Sequence, residues 1–118
     1  MNTDEFIRRR RQLMRMMGRG SVAILPAAQT RLRNRDVLYP YRQDSDFYYL
    51  TAFAESDAVA VLAPGRPEGE YLLFCRDRDP DKETWDGTRA GPGNAVTRFG
   101  ANAAYPIDAV EEVLPKIV

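Results

Sequence analysis

The side chains in this sequence that could do acid–base or metal chemistry are mainly carboxylates. Asp36, Asp44, Asp46 and Asp57 lie in one part of the chain and could form pairs. The chain has no histidine, the commonest general base and transition-metal ligand. No loop has the alternating Asp/Asn spacing of a calcium site. Asp44, Asp46 and Asp57 flank predicted caps and turns, so we interpret them as backbone acceptors, and a carboxylate-metal hydrolase is the least favoured function.

Two further residues, Cys75 and Trp85, could have a chemical or a binding role. Cys75 ends an apolar run, and without a histidine to activate it we predict a buried strand thiol. Trp85 is the only tryptophan and lies in a polar, glycine-flanked stretch that we predict to be a loop. A large aromatic on a loop is typical of a contact with a partner or ligand. Burial and surface recognition both remain open for Trp85.

Composition sets the limits on the protein class. The 118 residues suffice for one domain, and 17 basic residues balance 17 acidic ones. Net charge therefore predicts neither a nucleic-acid nor a membrane partner, and any electrostatic argument must be local. The N-terminus lacks the features of a secretory signal, and no apolar stretch is long enough to span a membrane. We predict a cytoplasmic protein.

The elements that would position these residues follow from periodicity and from turn signals. A helix is predicted over residues 3–17, with glycine at its end. A buried strand is predicted over 21–25 and a short helix from Ser45. Apolar runs at 58–62 and 71–75, joined by a Pro/Gly-rich turn, predict a hairpin whose two faces are both covered by helices.

The C-terminal third is predicted from weaker signals. Residues 94–99 suit one or two helical turns, and 105–107 suit a short edge strand. Asp108 is placed to cap a last helix with an apolar side. An alternating α/β pattern normally returns such a helix to another strand, so we expect the chain to be cut from something longer.

Arginines are concentrated in two places. Arg8 to Arg11 point about 100° apart around a helix, which predicts a solvated face and no single patch. Arg31, Arg33 and Arg35 could track phosphates, with tyrosines as stacking surfaces for a single-stranded nucleic acid. These tyrosines are Tyr39, Tyr41, Tyr48 and Tyr49. This function is kept as an alternative.

Four segments together resemble the N-terminal domain of bacterial Xaa-Pro aminopeptidase, called aminopeptidase P, of the creatinase and prolidase superfamily. They are Phe6-Ile7-Arg8-Arg9-Arg10, the run from Asp36 to Phe53 containing Tyr-Pro-Tyr-Arg-Gln-Asp-Ser-Asp-Phe, the run 73–80 and the run 83–91. In order, they cover nearly the whole chain. The resemblance implies an α/β fold with a mixed, partly antiparallel sheet flanked by helices. It also allows for truncation at the C-terminal end of that fold.

The resemblance also implies a function. Family members remove an N-terminal residue that precedes proline, using two metal ions, usually manganese, in a C-terminal domain of the pita-bread fold. Residues 1–118 would then be the non-catalytic N-terminal domain, with no catalytic residue or metal of its own and inactive alone. Its partners would be its catalytic domain, the other subunits of a tetramer and proline-containing peptides, with no nucleic acid and no membrane.

Two residues match family positions that complete the substrate pocket of another subunit. Trp85 matches a tryptophan of that pocket, and Asp36 matches an aspartate near the free amino end of the substrate. The family commonly has glycine where Ala52 stands and proline where Ser56 stands. If residue 52 requires a positive φ, alanine would strain the turn. A free-standing interaction module is the remaining alternative.

Overall fold

The computed structural model describes residues 3–27, 32–33, 37–38, 45–86 and 89–117. The helices are α1 (Thr3–Met17), α2 (Ser45–Thr51), α3 (Pro80–Asp86), α4 (Gly91–Thr97) and α5 (Val110–Ile117). The strands are β1 (Ala23–Pro26), β2 (Leu32–Arg33), β3 (Val37–Leu38), β4 (Val59–Leu62), β5 (Tyr71–Cys75) and β6 (Ala103–Pro106). A 3₁₀ turn, Ile107–Ala109, precedes α5.

The main sheet is mixed, with strand order β1-β4-β5-β6. The pairs β1–β4 and β4–β5 are antiparallel, and β5–β6 is parallel. Leu72 of β5 lies opposite Val61 of β4 on one side and Ala103 of β6 on the other. Strands β2 and β3 form a separate antiparallel pair. The predicted α/β fold with a mixed, partly antiparallel sheet flanked by helices is confirmed.

Both faces of the hairpin strands β4 and β5 carry apolar side chains, as predicted. Five residues of these strands face one way and pack with Phe47, Phe53 and Ala95, under α1, α2 and α4. They are Ala60, Leu62, Tyr71, Leu73 and Cys75. On the other face Val61, Leu72 and Phe74 pack against the apolar side of α5. Helices therefore cover both sides of the sheet.

Helix α1 is joined to the core by a buried arginine. Arg10 is 4% exposed, and its Nη1 donates to the Leu50 carbonyl at the end of α2 over 2.8 Å. Its guanidinium carbon lies 4.2 Å from the centre of the Tyr71 ring, a cation–π contact. Burial lowers the pKa of Arg10. The prediction that Arg8 to Arg11 are all solvated is wrong for Arg10, because helical spacing turns that residue toward the sheet.

Three predicted elements differ from the structure. Residues of β1 alternate between half-buried and exposed, and Ile24 is 47% exposed, because β1 is an edge strand and not a buried one. Helix α4 begins at Gly91 and not near Asn94, with a proline in its first turn. Asp108 lies inside the 3₁₀ turn. Among the described residues, no helix combines the length and apolar character needed to cross a membrane.

Ala52 adopts the left-handed backbone conformation, with φ at 59°. This conformation strains a residue that carries a Cβ atom. The Ala52→Gly variant should therefore raise the free energy of unfolding by up to about 1 kcal/mol, since relief of strain exceeds the added chain entropy. Urea denaturation of both chains measures the difference. Ala54→Gly, at an exposed position outside helix and strand two residues away, is the control and should not stabilise the chain.

Candidate functional site

Residues 80–86, which carry Trp85, form helix α3 and not the predicted loop. Pro80 is its first residue, where a missing N–H group has no cost. The Asp79 carboxylate accepts from the Lys82 amide at 3.3 Å, which caps the helix start. The amide of Asp79 in turn donates to the Glu83 carboxylate at 3.0 Å. These reciprocal bonds make a helix start that holds the aromatic residue on regular structure.

Glu83 is the centre of the hydrogen bonds around α3. Its carboxylate also accepts from the Arg78 Nε at 2.9 Å and from the Arg89 amide at 2.6 Å. The Glu83 side chain is 7% exposed. The Arg89 amide, followed by Arg78 and the Asp79 amide, lowers the pKa of Glu83 from its ordinary 4.5. One carboxylate thus ties the residues before and after α3 to each other.

A second carboxylate, Glu55, attaches this region to the sheet. Glu55 accepts from the Ala90 amide at 2.7 Å and lies 3.5 Å from an Arg76 guanidinium nitrogen. Arg76 directly follows β5, and Ala90 directly precedes α4. The two carboxylates, Glu55 and Glu83, therefore fix α3 between the end of β5 and the start of α4. We call residues 76–86 and 89–91 with these two glutamates the anchored segment.

A cleft of about 660 Å³ lies beside the anchored segment, between Arg78 and the first turn of α4. Gly91, with φ at 77°, makes the close approach possible. A Cβ atom on that residue would lie 2.8 Å from the Arg78 Cγ atom. Because Gly91 has no side chain, the aliphatic part of Arg78 can pack against the start of α4 while its guanidinium binds the Glu83 carboxylate.

Cys75 ends β5 inside the core, as predicted. Burial, with the nearby carboxylates of Glu55 and Asp77, raises the pKa of the thiol to about 12. The thiol is therefore protonated at neutral pH and unsuited to nucleophilic attack. The structure confirms its role as a core residue.

The two predicted site residues differ in how far the structure describes them. Trp85 lies in the last turn of α3, two residues beyond Glu83. Asp36 lies outside the described residues, as do Asp44, Arg31, Arg35, Tyr39 and Tyr41. Across the described ranges, no group of three or more His, Cys, Asp or Glu side chains is placed to hold a metal.

Sequence reasoning missed the two glutamates that hold the segment. A signal for Glu83 exists in Asp79-Pro80-Asp81-Lys82-Glu83, where aspartate, proline and a glutamate follow the pattern of a helix start. For Glu55 the sequence offers no local signal, because its donor Ala90 is 35 residues away.

Comparison with known proteins gives the family. The model for "Aminopeptidase P, N-terminal domain" matches residues 6–118. Xaa-Pro aminopeptidase of Haemophilus influenzae is 39% identical over 98% of this chain and 27% of its own length. Human Xaa-Pro aminopeptidase 3 is 32% identical over 96% of this chain and 25% of its own. The chain thus spans about a quarter of these relatives.

Solved structures agree over the whole chain. Pseudomonas aeruginosa aminopeptidase PepP is 52% identical, with a TM-score of 0.94 over 100% of this chain and 27% of its own. Escherichia coli aminopeptidase P in complex with product is 37% identical, with a TM-score of 0.90 over 99% of this chain and 27% of its own. Sequence and fold therefore lead to the same conclusion: the chain belongs to the family of aminopeptidase P N-terminal domains.

Proposed function

We propose that residues 1–118 are the non-catalytic N-terminal domain of a manganese-dependent Xaa-Pro aminopeptidase, which removes an N-terminal residue preceding proline. In this proposal the metal ions and catalytic groups belong to a pita-bread domain outside these residues, and the chain alone is inactive. The support is the family membership and the names of the relatives. A cytoplasmic location is part of the proposal.

The domain would have two roles in the whole enzyme. It would contribute to the contacts of a tetramer, and it would complete the substrate pocket of a neighbouring subunit through Trp85 and Asp36. The observation that carries the pocket role is the anchored segment, in which Glu83 fixes both ends of the helix bearing Trp85. A contact residue placed on so constrained a helix loses little entropy when it meets a substrate.

The chemistry of the two residues suits a peptide that begins Xaa-Pro. A tryptophan ring offers a rigid apolar wall against which a prolyl or apolar side chain can pack. An aspartate can accept a charge-assisted hydrogen bond from the free α-ammonium group of the peptide. Both groups would bind substrate without taking part in the metal chemistry.

The test uses a chimaera in which this chain replaces the matching N-terminal part of the P. aeruginosa enzyme, with 52% identity across the exchange. Trp85→Ala should lower kcat/KM on an Xaa-Pro peptide by about tenfold or more, because the apolar wall is lost. Asp36→Asn should lower it by a similar factor, because the amide carries no charge to pair with the α-ammonium group of the peptide.

The control is Tyr49→Ala, which removes another aromatic ring, 55% exposed on α2. It should leave kcat/KM within about twofold. Light scattering must give the same oligomeric mass for all variants, with a tetramer expected. Unchanged kcat/KM in a tetrameric Trp85→Ala enzyme would contradict the pocket role. A chimaera that stays monomeric and fully active would contradict the assembly role.

A further inference from the structure

A basic cleft lies at the end of α1, away from the anchored segment. It opens between the last turns of α1 and the turn joining β4 to β5, and its volume is about 650 Å³. Four arginines and one glutamate are among the described residues that line it. They are Arg11, Arg15, Arg19, Arg66 and Glu70. The whole chain has no net charge, so this is a local excess of positive charge.

The fold brings these arginines together from separate parts of the sequence. Arg11 and Arg15 are four residues apart on α1 and therefore lie on one side of that helix. Arg19 follows the helix, and Arg66 lies across the cleft in the turn after β4. The Gly20 amide donates to the Pro64 carbonyl over 3.2 Å, which ties the end of α1 to that turn.

Gly65 gives the cleft its shape. Its φ is 84°, and a Cβ atom there would lie 2.9 Å from the Arg19 Nε. The missing side chain thus lets the Arg19 guanidinium lie directly on the hairpin turn, which also carries Arg66. Arg19 and Arg66 also line a smaller neighbouring cleft of about 300 Å³, together with Lys116 and the acidic Glu68.

These cations are little neutralised within the part of the chain that the structure describes. Arg11, Arg15 and Arg19 form no ion pair with a described residue. Arg66 lies 3.8 Å from the exposed Glu68 carboxylate and donates a hydrogen bond to the Gly69 carbonyl at 3.1 Å. The Glu70 carboxylate instead accepts a hydrogen bond from the Gly65 amide at 2.7 Å. The negative end of the helix dipole accounts for a basic residue such as Arg15, but not for Arg66, which lies in the opposite turn.

We propose that this cleft binds a small polyanion of the polyphosphate class. Guanidinium groups match phosphate oxygens in pairs, and several of them around a concave site favour a ligand that carries more than one phosphate group. A single-stranded nucleic acid, which also carries phosphates, is an extended ligand and would need a longer basic track than this cleft offers.

The experiment is a calorimetric titration of the 118-residue chain with sodium triphosphate at low ionic strength. The double variant Arg11→Gln/Arg15→Gln should weaken binding by about tenfold or more, because two charge-assisted contacts are removed. Its matched control is Arg8→Gln/Arg98→Gln, which changes the net charge equally at exposed positions outside the cleft. The control should bind within about twofold of the parent chain.

Additional measurements distinguish the outcomes. Thermal melting should give the same midpoint for both double variants, since all four side chains are exposed. Adenosine triphosphate should bind about as well as triphosphate if the phosphates alone are recognised, and orthophosphate more weakly. The proposal is wrong if triphosphate does not bind, if both double variants weaken it equally, or if an oligonucleotide binds and triphosphate does not.

Discussion

Replacing Phe74 by alanine is expected to lower the free energy of unfolding by about 3–5 kcal/mol. Phe74 is fully buried in the central strand β5, and its ring stacks on Tyr105 with the ring centres 5.3 Å apart. Its removal would leave a cavity between the sheet and α5, which the backbone of a strand paired on both sides cannot close. Urea denaturation of the 118-residue chain measures the loss.

Since a domain of this size is only marginally stable, the alanine variant could fail to fold. Phe74→Leu keeps most of the volume and should cost about 1 kcal/mol, which leaves a measurable transition. Val96→Ala, at a position that is 41% exposed on α4, is the control and should cost well under 1 kcal/mol. A loss below about 1 kcal/mol for Phe74→Ala would show that α5 does not cover this face of the sheet.

Replacing Glu83 by glutamine is expected to release the anchored segment while the core remains folded. The amide keeps one acceptor oxygen but turns an NH₂ group toward Arg78 and the amides of Asp79 and Arg89, which are all donors. Hydrogen exchange at the Arg89 amide should then lose about tenfold or more of its protection. The backbone amides of β5 should keep their protection from hydrogen exchange.

The pH dependence provides an independent check on Glu83. Because its pKa is lowered in the folded chain, the ionised carboxylate stabilises the fold above the ordinary value of 4.5. That contribution is lost as the pH falls through the lowered pKa. The parent chain should therefore lose stability on acidification below about pH 4.5, and Glu83→Gln should show a shallower loss.

Local patterns predicted the elements that depend on neighbouring residues. Helix α1 ends at Met17, before Gly18, and the hairpin of β4 and β5 follows two apolar runs around a proline- and glycine-rich turn. The φ of 59° at Ala52 meets the condition under which the resemblance implies strain at an alanine in this turn. Each of these features is determined within a few residues along the chain.

Features that depend on distant partners were not predictable. Strand β1 has an apolar sequence, and only the strand order shows that it lies at an edge. Arg10 is buried because its guanidinium contacts the Tyr71 ring and the Leu50 carbonyl. These partners are 61 and 40 residues away in the sequence. The basic cleft was not predictable for the same reason. Only the turn between β4 and β5 brings Arg66 to the same cleft as the arginines at the end of α1. Trp85 lies on α3 and not on the predicted loop, because Asp79 and Pro80 start a helix within this polar stretch.

The parallel pairing of β5 and β6 has a consequence for the order of folding. The hairpin of β4 and β5 closes a short loop, whereas β6 can pair only after the chain has passed through α3 and α4. Loop-closure entropy makes the long crossover the slower step. We therefore expect the helix that bears Trp85 to become fixed late, after the hairpin has formed. A newly synthesised chain would then have an intact hairpin before α3 was held in place.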